Sequence, residues 1–234
     1  MPLRKVTSEV SGTVFSLPYL VARDEGYFAD EGLDIEFVAR DRSEERVPIT
    51  DDHHLISSFG GDSIFEQGGA SLYRACEWGQ VRRSQDSRRG GRVISKRSAV
   101  ASQAIFVRPD SPYNHPQDLA GVPVAVNFHH GSHYIAIQTL EGFLPRDEIK
   151  VTHVGGPRQR FESLRDGVID AAAVMEPWIT VAEKLGFKLI AEAFYVGSEI
   201  ASPDLDAATF TAINRAVSRA ARKLTQDPRP YLHY

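Results

Sequence analysis

From residue 122 onward, short apolar runs alternate with stretches whose apolar positions recur at helical spacing, and this rhythm restricts the chain to an α/β architecture. Val122–Phe128 predicts a strand, Gly131–Phe143 a helix with Ser132 at its cap, Ile149–Val154 a strand and Arg158–Arg165 a helix. Asp170–Met175 predicts a short buried strand, Pro177–Leu185 a helix with proline near its start, and Lys188–Ala191 a further strand. The opening of the chain has the same pattern: a strand over 3–10, a loop at Ser11-Gly12-Thr13, a helix from Leu17 toward Phe28 and an alternating strand over Asp34–Val38. Strand, helix, strand is the unit from which parallel sheets are built.

The middle of the chain is less regular. Residues 40–58 are polar and read as a loop. Helices are expected over 62–68, with Asp62 or Ser63 near the cap, and over Leu72–Val81, where Cys76 reads as a small hydrophobe and Trp78 as core. Arg82 to Arg97 holds seven basic residues and one acid in sixteen and reads as a solvated loop. The apolar runs Val93–Ile94 and Val100–Val107 follow, and the turn at Pro109-Asp110-Ser111-Pro112 puts a lobe boundary near 107–112. An amphipathic helix over Asp206–Leu224 is broken by Asp227-Pro228-Arg229-Pro230.

Composition narrows the function classes. With 31 acids against 27 bases the net charge is −4, which gives no general reason to expect a nucleic-acid partner. No apolar run approaches the ~18 residues of a membrane helix, so membrane insertion is not expected. The single cysteine, Cys76, excludes an internal disulfide framework and a thiolate zinc site. Gly-Gly pairs at 60–61, 68–69, 90–91 and 155–156 fall in no phosphate-binding frame, and no cofactor is implied. The N-terminal residues carry charge and lack a secretory h-region. As the sequence stands the expectation is therefore cytoplasmic, and periplasmic only for a longer natural N-terminus.

Four segments carry a family resemblance. Leu17-Pro18-Tyr19-Leu20-Val21-Ala22-Arg23-Asp24-Glu25-Gly26-Tyr27-Phe28-Ala29-Asp30-Glu31-Gly32-Leu33-Asp34-Ile35 resembles the opening of type 2 periplasmic-binding-protein-like chains of the sulfonate, nitrate and thiamine-precursor (NMT1/SsuA-like) branch. Asp118-Leu119-Ala120-Gly121, Gly131-Ser132 and Ala171-Ala172-Ala173-Val174-Met175-Glu176-Pro177-Trp178 agree in order and spacing. The resemblance implies a two-lobed α/β fold with mixed sheets and a hinge, with residues 1–105 plus 197–234 as first lobe and 106–196 as second. It implies a small organic anion held between the lobes, with aromatic anions among the candidates, and a membrane transporter as partner if the protein is exported. The branch also resembles enzymes, including a hydroxybiphenyl sulfinate desulfinase. Ser11-Gly12-Thr13-Val14 stands where that enzyme has its cysteine, and Ser58 before Phe59-Gly60-Gly61 replaces its arginine. The alternative reading is thus a cytoplasmic lyase or hydrolase.

The candidate ligand-binding residues are Ser11, Gly12, Thr13 and Phe15 in the first loop, His129, His130, Gly131, Ser132 and His133 at a strand-to-helix junction, and Glu176 and Trp178 at another. Free N–H groups and the dipole at a helix start favour an anion, and histidines beside it can donate or move protons. In an enzyme, His129, His130 or His133 would be the acid/base. Metal ligation by these residues with His53-His54 is not expected, because a glycine and an element boundary break the ligand spacing. Trp178 could stack on a flat ligand, and Glu176 could bond an amine or hydroxyl.

Overall fold

The computed structural model describes residues 2–10, 14–39, 47–59 and 63–234. Its elements run β1 (Arg4–Glu9), α1 (Leu17–Asp24), α2 (Tyr27–Asp30), β2 (Leu33–Val38), α3 (Ser63–Glu66), β3 (Leu72–Cys76), α4 (Glu77–Asp86) and β4 (Arg92–Val107). They continue with β5 (Pro123–Val126), α5 (Gly131–Leu140), β6 (Lys150–His153), α6 (Pro157–Arg165), β7 (Ala171–Val174), α7 (Trp178–Lys184), β8 (Lys188–Ala201) and α8 (Ala207–Gln226). The strands form one mixed sheet in the order β2-β1-β3-β8-β4-β7-β5-β6. Parallel trios at either end are joined by β4 and β8, which run antiparallel through the middle.

Each end builds its own core. Val6, Leu33, Ile35 and Leu72 of one trio pack against Tyr19 and Val21 of α1 and against Ala212, Ile213 and Ala216 of α8. At the other end α5 covers one face through Ala136 and Leu140, while α6 and α7 cover the other through Phe161, Leu164 and Ile179. α8 starts at an Asp206 cap, whose Oδ1 accepts from the Thr209 N–H at 2.8 Å. It is tied down by Arg215–Glu31, Arg219–Asp30 and Lys223–Glu25 pairs along one face.

Three expectations from the sequence are corrected. Leu72–Val81 is not a helix: Leu72–Cys76 is a strand and the helix begins at Glu77. Five antiparallel partners on β8, from Ala201 to Gly197, override the local helical spacing. β8 extends ten residues beyond Ala191, because β4 pairs with it over most of its length. The basic run is not a loop throughout, since Arg82 and Arg83 lie on α4 and Arg92 opens β4.

The 47–59 segment also departs from a plain loop, forming a strap onto the far end of the sheet. Thr50 and His153 exchange main-chain hydrogen bonds at 3.2 and 2.8 Å, and the Gln159 amide bonds both the N–H and the carbonyl of Val47 at 3.2 and 2.8 Å.

Candidate functional site

The parallel register of β5 with β7 and β6 brings the C-terminal ends of these strands together, and the loops that follow them share one edge. Open α/β sheets place ligands at such edges. After β5 the chain turns through Asn127 to His130. His129 takes φ +65°, a left-handed conformation, and this redirects the backbone into α5. His130 occupies the cap position instead of Ser132, whose hydroxyl oxygen accepts from the Asn127 N–H at 2.9 Å.

Each of four histidines here has a ring nitrogen committed to the protein. His129 Nε2 donates to the His53 carbonyl at 2.9 Å, and the His129 N–H donates to His133 Nδ1 at 3.3 Å. The Phe128 N–H donates to His153 Nδ1 at 3.1 Å, and Arg83 Nη2 donates to His130 Nδ1 at 3.3 Å. The rings of His53, His129, His133 and His153 surround Phe128 at centroid distances of 5.0–6.5 Å. Burial, with the neighbouring His129 next, pushes the His133 imidazolium down to about 4, and burial with the Arg160 charge does the same for His153. Both rings are neutral near pH 7, which matches their role as acceptors. Asp52, His53 and His54 bring potential ligand atoms within 4.8 Å of one another, all exposed.

α4 and α5 meet head to head at this junction. A Cβ on Gly131 would lie 2.9 Å from Cys76 Sγ, and one on Gly79 would lie 3.7 Å from the His129 carbonyl. Cys76 caps α4, its sulfur accepting from the Gly79 N–H at 3.3 Å. It therefore sits at a junction between the two ends of the sheet rather than on an apolar helix face.

The remaining sequence candidates lie elsewhere. Ser11, Gly12 and Thr13 fall outside the described residues. Phe15 is half-buried and meets Tyr195 of β8 edge-on at 6.1 Å. Glu176, before a cis Pro177, accepts from the Thr180 hydroxyl at 3.0 Å, and Trp178 stacks on Phe161 at 5.2 Å against the α6–α7 core. These contacts hold both side chains within their own end of the sheet.

Arg160 was not among the candidates. It is 2% exposed, donating through Nε to the Ala173 carbonyl at 2.6 Å and through Nη1 to the Gly155 carbonyl at 2.5 Å. No carboxylate pairs with it among the described residues, and burial lowers its guanidinium to about 9, opposed only by Tyr195. Gln103, on β4 one residue before the Ala104–Val174 pair, carries a buried Oε1 with no partner. The signal for Arg160 was its place on the apolar stripe of α6, one residue before Phe161 and four before Leu164.

Residues 90–194 match the NMT1-like family. No curated protein is similar in sequence. The aliphatic sulphonate binding protein SsuA from Escherichia coli superposes with TM-score 0.68 and 15% identity over 99% of this chain and 72% of that one. The alkanesulfonate-binding protein SsuA from Xanthomonas axonopodis, bound to MOPS, gives 0.70 and 14% over 98% and 77%. A Candida albicans gene product with the generic periplasmic binding protein fold gives 0.70 and 14% over 100% and 75%. The fold is that of a two-lobed type 2 periplasmic binding protein. Within that class the resemblance is to the NMT1/SsuA-like branch. No helix among the described residues is long and apolar enough to cross a membrane.

Proposed function

We propose that this chain is a small-molecule binding protein of the solute-binding type, closing its two lobes on a small organic anion. The observation that carries the reading is Arg160, a buried cation beside the sheet edge with no carboxylate to neutralise it among the described residues. Such a charge is costly to bury unless an anion completes its shell. Tyr195 of β8 is near enough to act on the Arg160 charge and meets Phe15 edge-on at 6.1 Å, which supports a ligand placed between the two ends of the sheet. The lobes are residues 1–105 plus 197–234 and residues 106–196, and the 129–133 loop and the 176–178 segment flank the anion. The sulfonate-binding neighbours support a sulfonate or carboxylate as the charged group. A membrane transporter would be the partner of the loaded form.

The enzyme reading would use His129, His130 or His133 as acid/base, each held by one ring nitrogen to main chain or to Arg83. The test is a thermal-shift screen of alkanesulfonates and aromatic carboxylates, with mass spectrometry of each mixture. A hit should raise the midpoint, be recovered unchanged and lose its effect in Arg160→Met. A hit converted to a lighter product would replace this reading with the enzyme.

A further inference from the structure

α4 roofs a cavity of about 340 Å³ whose described walls come from residues 59–93 and Ile200, away from Arg160. Tyr73 of β3 faces it, while the adjacent Leu72 packs into the core beneath α1 and α8, so the cavity lies on the opposite face of the sheet. Three rings shape it: Phe59, Phe65 and Tyr73, the last two 4.5 Å apart and tilted by 54°. Val93 and Ile200 add aliphatic wall, and the size falls within the range of small-molecule sites.

One polar group in this wall is incomplete. The Gln80 amide oxygen accepts from the Tyr73 hydroxyl at 2.8 Å, and its Nε2 is buried with no partner. A buried amide donor lacking an acceptor is unfavourable, and native interiors rarely leave one. Arg83 adds a buried guanidinium to the same wall, oriented by donation from Nε to the Ser58 carbonyl at 2.9 Å. Glu66 also lines the cavity, but its carboxylate accepts from the Ser87 hydroxyl at 2.7 Å and from the Arg88 and Arg89 N–H groups at 2.7 and 3.2 Å. With Glu66 satisfied within the wall, an amide donor without an acceptor, a guanidinium and converging aromatic faces select one chemical class.

We propose that this cavity is a second binding site, distinct from the interlobe edge, for a small aromatic carboxylate. The ring would lie among Phe59, Phe65 and Tyr73, and the carboxylate would accept from Gln80 Nε2 in the field of Arg83. Arg83 also donates to His130 at the start of α5, so this site lies one side chain from the junction of the lobes.

The test uses benzoate as probe on protein carrying labelled Ile and Val methyls. Benzoate should shift the Ile200 and Val93 methyls in wild type and equally in Arg160→Met, which separates this site from the interlobe one. Ser84→Trp, an exposed position on the rim, should abolish those shifts. Gln80→Leu combined with Tyr73→Phe removes both ends of the internal hydrogen bond without leaving an orphan and should weaken benzoate at least tenfold. Benzylamine, a cation with no acceptor, should leave the methyls unmoved. Unmoved methyls with benzoate in Arg160→Met, unchanged shifts in Ser84→Trp, or equal binding of benzylamine would each overturn the proposal.

Discussion

The imidazole of His129 donates to the main-chain oxygen of His53 at 2.9 Å, joining residues 76 apart in sequence. The Thr50–His153 bridge and the Gln159–Val47 bonds extend this contact, so the strap is fastened by its main chain to β6 and α6. Because the strap bonds are backbone-directed, their contribution depends on geometry rather than on the side chains of residues 47–53.

Gln159→Ala removes both bonds to Val47. It should cost about 1–2 kcal/mol in stability. Hydrogen exchange at the Thr50 and His153 amides should speed up, with little change at Val124. Unchanged protection at Thr50 would show that the strap holds without Gln159.

Stability should fall as pH drops from about 6.5 toward 4. His133 and His153 have folded values near 4, below the ordinary histidine value, so the unfolded chain binds more protons throughout that window. The stabilisation is complete above about 6.5 and is lost as pH falls through the folded value, on the order of 2 kcal/mol for each of the two rings across the window. Urea midpoints at several pH values would measure it, and His153→Gln should flatten the slope. An equal slope in that variant would assign the pH dependence to other groups.

Gly131→Ala places a methyl 2.9 Å from Cys76 Sγ and 3.2 Å from its Cβ, forcing the starts of α4 and α5 apart at a cost of roughly 1–3 kcal/mol. Adding Cys76→Ala removes the sulfur but leaves the Cβ, so the double variant should recover only part of the loss. Small-angle scattering should show a larger radius for Gly131→Ala. Full additivity of the two substitutions would mean that the two positions do not press on each other.

Arg160→Met removes a buried charge along with two hydrogen bonds to carbonyls, terms of opposite sign. Its stability without ligand should stay within about 2 kcal/mol of wild type. Arg160→Lys keeps the charge but loses the fork that reaches both Ala173 and Gly155. Anion affinity, measured by calorimetry, should fall at least tenfold in the lysine variant and further in the methionine variant. Wild-type affinity in either would remove Arg160 from the site.

The second lobe was legible because its order is local: Val124, Val126 and Ala171–Val174 lie in short apolar runs, and their helices follow directly. β3 was misread because its partner is 120 residues or more away on β8, and because Arg74, which lies over the Tyr19 ring at 3.6 Å, looks like a surface residue in sequence. The strap was read as loop for the same reason, since nothing within residues 47–59 announces a partner at His153. The histidine loop could be placed at a strand-to-helix turn, but not its hydrogen bonds, which depend on Arg83 and His53 from distant segments. Arg160 was overlooked because α6 is rich in charge, and only its position beside Phe161 and Leu164 marks it as interior.

β4 and β8 are paired in register over most of their length, but between Lys96 and Val100 the β4 backbone spans four steps while β8 advances two, from Ser198 to Val196. The surplus backbone belongs to no rung of the ladder, and an interruption of that kind bends a strand and sharpens its local twist. Smaller irregularities at Val93/Ser95 and Ile105/Phe106 flank it, so the longest ladder of the sheet, the one that joins its two ends, is interrupted three times along its course.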